Sequence, residues 1–385
     1  MKQFISTVLA FLISVFGFFL TPSPAADLEP VAAREGTLTV TEEIFLTTLV
    51  DTELAWLASL QLENGALPMT KNNNGDVTVN PYFADITAMA LLDKPQQYAQ
   101  CVKAYLVWHF EHLNTKQSDP NNLDATIFDY TVTLENGKIV KETAKNSYDS
   151  VDSYAATFLT TLAKYYARTG DSEFIIAHAD DINRVTKTML STMFLGLSMA
   201  SPSYEIKYLM DNCEVYEGLT AVTALYEEVL AQHSSACEGM LRKCDLAFTQ
   251  LCNAMENVMW DADDRHYAVA LGRFGETAQE FSWDSFYPCA TAQLFPILCG
   301  VIAPETQRAN HLYDTFCNTY AWENFEIPSE FCWGANVLAA AKMNDIDRVM
   351  QYMENYLPLT VAHRYPLYNA DIARVCMAAG LLLAK

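Results

Sequence analysis

Apolar residues recur at i, i+3, i+4 and i+7 along most of the chain, the spacing that gathers them on one face of an α-helix. The pattern predicts twelve helices, over 41–62, 82–93, 95–114, 149–168, 172–194, 213–232, 235–258, 285–300, 304–320, 329–343, 345–357 and 367–384. One extended pair stands out, at about 265–282, where His266-Tyr267-Ala268-Val269-Ala270 precedes a Gly-containing turn. Short connections follow the even helices through the tenth, as at Asp93-Lys94, Thr169-Gly170-Asp171, His233, Val301 to Pro304 and Asn344. After the odd helices the connections are mostly long: 63–81, 115–148, 195–212, 259–284, 321–328 and 358–366. Short loops join antiparallel neighbours, so the chain reads as six helical hairpins with their long loops at one end.

Helices that open after the long loops are the more continuously apolar, as in Ala155-Ala156-Thr157-Phe158-Leu159 and Ala292-Gln293-Leu294-Phe295-Pro296-Ile297. A helix buried all round belongs to an inner ring, and one with a polar face to an outer ring. The expected fold is therefore all-α, an (α/α)6 toroid of six hairpins with one small β-hairpin insertion. An α-solenoid has the same rhythm but needs a fixed-period repeat, and none is present.

The N-terminus adds a second layer. Lys2 precedes an apolar run from Phe4 to Leu20, then Thr21-Pro22-Ser23-Pro24-Ala25-Ala26. That order reads as a secretory signal peptide over 1–26, followed by a linker over 27–40 and the helical domain over 41–385. The alternative is an uncleaved N-terminal anchor, the one way this chain would hold a stable membrane span. The expected location is secreted or extracytoplasmic. The ten cysteines are dispersed, fall mostly on apolar stripes and form no C-x-x-C, so buried thiols are expected.

Charge narrows the partners. The formal net charge is −23, with 24 Lys and Arg against 47 Asp and Glu, which leaves no cationic footprint for nucleic acid. A neutral partner fits better. Phosphate loops, dinucleotide fingerprints, the G-x-S-x-G elbow and H-E-x-x-H are all absent from the sequence, and no cofactor is expected. Asp261-Ala262-Asp263-Asp264 reads as a turn.

Carboxylates and aromatic rings meet repeatedly in the long loops. Glu63-Asn64-Gly65 lies in the first, with Tyr82 at its exit; Tyr148, Asp149 and Asp152 close the second. Tyr208, Asp211 and Glu214 end the third, Trp283, Asp284 and Tyr287 the fourth, Trp333 the fifth and Tyr368 the sixth. Aromatic rings stack on the apolar faces of sugars, while Asp and Asn bind their hydroxyls. A pair of carboxyl groups is what glycoside hydrolysis requires.

The hairpin rhythm, Glu63-Asn64-Gly65, and Asp149-Ser-Val-Asp152-Ser-Tyr-Ala-Ala-Thr-Phe-Leu resemble the six-hairpin glycosidases, among them glycoside hydrolase family 8 and its relatives. The resemblance implies an exported hydrolase that cleaves a polysaccharide or oligosaccharide, with inversion. It points to Glu63 as general acid, with a pKa raised by aromatic surface, and to Asp149 and Asp152 at the cleavage subsite. Asp284 is the nearest match to the family's base, without the Arg found there. Tyr82, Tyr148, Asp149, Tyr208, Asp211, Glu214, Trp283, Tyr287, Trp333 and Tyr368 are the expected substrate contacts. Two alternatives stay open. One is an unsaturated uronyl hydrolase or lyase on the same fold, for which His363-Arg364 is the basic spot. The other is a non-catalytic glycan-binding protein of an export system.

Overall fold

The computed structural model describes residues 26–363 and 365–385. The proposed signal segment over 1–25 and Arg364 lie outside the described residues. Six helices form a closed inner ring: α2 (Pro81–Leu91), α4 (Asp152–Thr169), α7 (Leu209–Leu225), α9 (Phe295–Leu298), α11 (Gly334–Lys342) and α13 (Asn369–Leu383). Each packs on the next in chain order, and α13 packs back on α2, which closes the circle. The outer partners are α1 (Val40–Ala58), α3 (Pro95–Glu111), the pair α5 (Ser172–Ala177) and α6 (Ala179–Ser191), α8 (Ser235–Ala254), α10 (Gln307–Thr319) and α12 (Ile346–Thr360). The all-α toroid expected from the loop rhythm is the fold observed.

Burial explains the two rings. In outer α8 the buried residues are Cys237, Met240, Cys244, Ala247, Leu251 and Ala254, a single stripe at helical spacing. Inner α4 is instead buried at every position from Asp152 to Leu162. Some helix starts are set by side chains that satisfy first-turn N–H groups. Thr39 and Glu42 form a reciprocal capping box on α1, and Asn80 accepts from Phe83 N ahead of Pro81 on α2.

Two predicted helices break. The segment over 172–194 divides at His178, and that over 285–300 is reduced to a wide turn at Phe286–Ala290 plus the short α9. Pro288 and Pro296 account for the second break, since proline donates no backbone hydrogen bond and pushes Tyr287 into extended backbone.

The β-content exceeds one hairpin. Ala270–Leu271 pairs antiparallel with Thr277–Gln279 as expected, and Lys207–Tyr208 adds a third strand. A separate sheet joins β1 (Gly75–Val79) from the first long loop to β2 (Tyr130–Glu135) and β3 (Lys138–Ala144) from the second. Its sequence signal was present and unread: Asn136-Gly137 between alternating runs, both at positive φ, the left-handed conformation of a two-residue hairpin turn. Asp261 Oδ1 accepts from the Asp263 and Asp264 amides, so the D-x-D-D segment is a turn. All ten cysteines are free thiols, six of them buried.

One ion cluster ties the outer wall together. Arg308 is fully buried and donates two bonds each to Asp27 and Glu256, at 2.7–2.9 Å, with its guanidinium 4.0 Å over the Trp260 ring. Removing the cation leaves both part-exposed carboxylates without their partner. Arg308→Met is expected to lower stability by about 3 kcal/mol, measured as the urea midpoint, with Arg308→Lys intermediate because it lacks the planar fork.

Candidate active site

The N-termini of the inner helices converge at the long-loop end. Asp211 and Glu214 stand three residues apart on the first turns of α7, hence on one face of it. Glu214 is buried and accepts a hydrogen bond from the Tyr82 hydroxyl, which in turn receives one from Arg374 Nη2 at 3.1 Å. Tyr82 enters on α2 directly after Pro81, and Arg374 on α13. Three inner helices thus meet at one carboxyl group.

Charge and burial shape the protonation of this group. Asp211 is held well above the usual carboxylate range by burial, and further by the negative charges of Asp152, Glu214 and Asp149. Burial pushes Glu214 up to about 7, against the lowering pull of the Tyr82 hydrogen bond and the Arg374 guanidinium. Asp149 lies at the exposed edge, one turn before α4 begins. The exposed Tyr287 lies near the same group, and the charges of Asp149, Asp211 and Glu214 all act on its hydroxyl. Trp333 packs against Tyr287 with centroids 5.2 Å apart. Tyr208 bonds to Tyr204 through its hydroxyl at 2.9 Å and feels the Asp211 charge.

A second polar knot lies beside the first. Asn80 Nδ2 donates to Asp129 Oδ1 at 3.1 Å and to the Tyr154 hydroxyl at 2.7 Å, while that hydroxyl donates to Asp129 at 3.0 Å. The Tyr154 ring stacks on Tyr82 at 6.1 Å. Sequence reasoning passed over Asp129, Tyr154 and Arg374. For Arg374 a signal existed: a single cation in an inner helix whose other polar residues, Asn369 and Asp371, lie in its first turn. Among the described residues no group of three or more His, Cys, Asp or Glu is arranged to hold a metal ion.

Three expected catalytic residues fall elsewhere. Glu63 is exposed and faces β3, where its Oε1 accepts from Ile139 N at 3.4 Å, because the loop around it folds back on α3 through Gln61 Nε2 and the Cys101 carbonyl at 2.7 Å. It is not part of the carboxylate group. Asp152 is fully buried beneath that group, receiving Ser198 Oγ at 2.7 Å and the Ser153 amide at 2.9 Å. Burial pushes its carboxyl to about 6. Its carboxyl has no exposed surface and holds Ser198, whose backbone is clamped by Asn212 beside Asp211. Asp284 is exposed, and its charge acts on Tyr320.

Among the expected contacts, Tyr82, Asp149, Tyr208, Asp211, Glu214, Tyr287 and Trp333 come together. Tyr368 is linked to them through Phe83, at 6.2 Å. Tyr148 packs on Phe128 and bonds to Asn121 at 2.7 Å, set back in the loop wall. Trp283 packs edge-on against Phe281, and its carbonyl accepts from Tyr320 at 2.6 Å, outside the group.

The raised Glu214 carboxyl sets a pH dependence. Between about pH 4.5 and 7 the folded chain keeps a proton that the unfolded chain releases, so this group makes stability fall as pH rises through that window. Glu214→Gln is expected to flatten that fall in a pH series of unfolding midpoints. Tyr82→Phe removes a bond that lowers the group and is expected to move its titration above about 7, read from the carboxyl 13C shift. An unmoved titration would remove the Tyr82 contact from the account.

No family model and no curated protein matches this chain. Solved structures do. A glycosidase variant in complex with glucose superposes with a TM-score of 0.61 at 11% identity, covering 90% of this chain and 99% of its own. An α-amylase from Clostridium perfringens gives 0.52 at 10% identity, with 89% and 97% covered. A rhamnosidase from Klebsiella oxytoca with rhamnose bound gives 0.54 at 14% identity, with 91% and 65% covered. At these identities the shared property is the fold, the toroid of six hairpins found in glycosidases.

Proposed function

We propose that this chain is an exported glycoside hydrolase acting on a neutral glycan, with Asp211 as the proton donor. The observation that carries the proposal is the carboxylate group at the mouth of the toroid, where burial and the neighbouring charges of Asp152, Glu214 and Asp149 raise the Asp211 carboxyl well above the usual range, beside the exposed Asp149. Two carboxyl groups in unlike surroundings are the acid and base of such a reaction. Asp211 gives its proton to the glycosidic oxygen as the bond to the anomeric carbon breaks. Asp149 takes a proton from the water that attacks that carbon. Glu214, steadied by Tyr82 and Arg374, binds sugar hydroxyls, and Tyr287 and Trp333 supply ring surface.

Support from the fold is of a coarser kind, since the solved glycosidases share the toroid and hold glucose or rhamnose in two cases. A neutral sugar fits a mouth in which, among the described residues, several carboxylates stand near one guanidinium, that of Arg374. The uronate reading loses its basic spot in part, because His363 Nε2 is engaged by the buried Glu53 at 2.8 Å.

The test is reducing-end release from a panel of neutral and uronate-containing polysaccharides, with proton NMR of the first-formed anomer; inversion is the expected outcome. A neutral polymer cut by the wild type supports the proposal. Glu63→Gln is expected to stay within about twofold of wild type, since its carboxyl faces β3. Cleavage of uronate polymers alone, or binding without cleavage, overturns it.

A further inference from the structure

A run of aromatic rings leaves the carboxylate group and continues onto the surface. From Tyr82, which bonds Glu214, the ring of Phe83 lies at 5.8 Å, Tyr368 at 6.2 Å from Phe83, and Phe331 at 5.9 Å from Tyr368. Tyr365 completes it, 6.1 Å from Phe331 and 6.3 Å from Tyr368. The inner members are partly buried, whereas Phe331 and Tyr365 are 43% and 54% exposed. Water contact on two large adjacent rings is unfavourable unless something covers them.

The pair is held in place from behind. The carbonyl of Cys332, next to Phe331, accepts from the buried Tyr352 hydroxyl at 2.9 Å. Two residues before Tyr365, His363 is fixed by Glu53 at 2.8 Å and stacks on Trp56 at 4.2 Å. The Tyr365 hydroxyl donates to the exposed Glu330 carboxylate, which keeps acceptor capacity free for another donor. Exposed rings beside a hydrogen-bond acceptor make a surface with an apolar face and a polar edge. That is the complement of a pyranose ring.

We infer that Phe331, Tyr365 and Glu330 form a remote sugar-binding platform, which takes a pyranose unit of a chain whose scissile bond lies at Asp211. The inference rests on the hydrolase reading and adds that the substrate is an oligosaccharide or polymer longer than the mouth itself. The occupant is a glycan because the platform is continuous, ring by ring, with the carboxylate group. Binding made there is the same in ground and transition states, so its loss raises KM and leaves kcat.

The test uses the full chain and a series of oligosaccharides of increasing length from the polymer the wild type cleaves. Tyr365→Ala and Phe331→Ala are expected to lower kcat/KM for the longest members roughly five- to tenfold, through KM, and to leave the shortest unchanged. Tyr365→Phe keeps the ring and is expected to retain most of the lost affinity, which a mere folding defect would not. Equal effects at every length, or none, overturn the platform. Should the wild type cleave nothing, the hydrolase reading fails first. Calorimetric titration of oligosaccharides of graded length from the neutral polysaccharides of the panel then decides the platform, with length-dependent binding supporting it and no binding overturning it.

Discussion

Asp211→Asn is expected to reduce kcat on a natural glycan on the order of 10³-fold at neutral pH, with KM little changed. Asparagine keeps the shape and can still donate a hydrogen bond, but it has no proton to transfer, and general acid catalysis contributes about 10²–10⁴-fold. Burial and three neighbouring negative charges raise this carboxyl well above the usual carboxylate range, the direction a proton donor requires. The deficit should depend on the leaving group. A nitrophenyl glycoside needs little protonation on departure and should recover most of the lost rate with Asp211→Asn. Asp149→Asn should be slow on both substrates, because water still has to be activated. A comparison of initial rates on the polymer and the aryl glycoside separates the roles, and a variant that retains a tenth of wild-type activity on the polymer would rule Asp211 out as donor.

Gly218→Leu is the second change with a large expected effect, on stability and activity together. Gly218 lies on α7 against α4, and a Cβ built there would sit 2.7 Å from Ala156 Cα and 2.8 Å from its carbonyl oxygen. No flexible side chain is available to yield, since the obstacle is backbone. The two inner helices would have to separate, at a cost of about 3 kcal/mol or more in unfolding free energy, against at most about 1 kcal/mol returned by better helix propensity. Separation would also carry Asp211 away from Asp149, because α7 bears the first and α4 follows the second. Gly239→Ala is the matching control: it lies in α8 with no atom within 4 Å of its added Cβ, and a gain of about 0.5–1 kcal/mol is expected. Denaturant midpoints of the pair, with kcat for each, check both statements.

The ring architecture was legible because alternating loop lengths and all-round burial are properties of sequence stretches of ten residues or more. Short loops at Asp93-Lys94 and Thr169-Gly170-Asp171 could only join antiparallel neighbours. The site was legible by region and not by residue. Glu63 follows the first helix at the correct end of the toroid, yet its loop folds back onto α3 and under β3, a pairing between segments more than seventy residues apart. Asp152 sits one turn deeper than a cleft residue because α4 starts with it, leaving Asp149 at the edge. Arg374 escaped notice since its partner, Tyr82, is 292 residues away. Local periodicity carries helix faces well, whereas a hydrogen bond across the ring leaves no local trace.

The closed circle of inner helices has a consequence for how the molecule is made. The bond from Arg374 to Tyr82 spans the seam where α13 returns to α2, and His363 reaches Glu53 across 310 residues at the same seam. A chain still emerging during synthesis can build its early hairpins one by one, each from local contacts. It carries Asp211 and Glu214 long before it has Arg374. Only when the sixth hairpin docks does Glu214 gain its complete support, so the machinery and the finished fold arrive in the same step. A nascent or truncated chain that ends before residue 369 carries the acids without the throat that aims them.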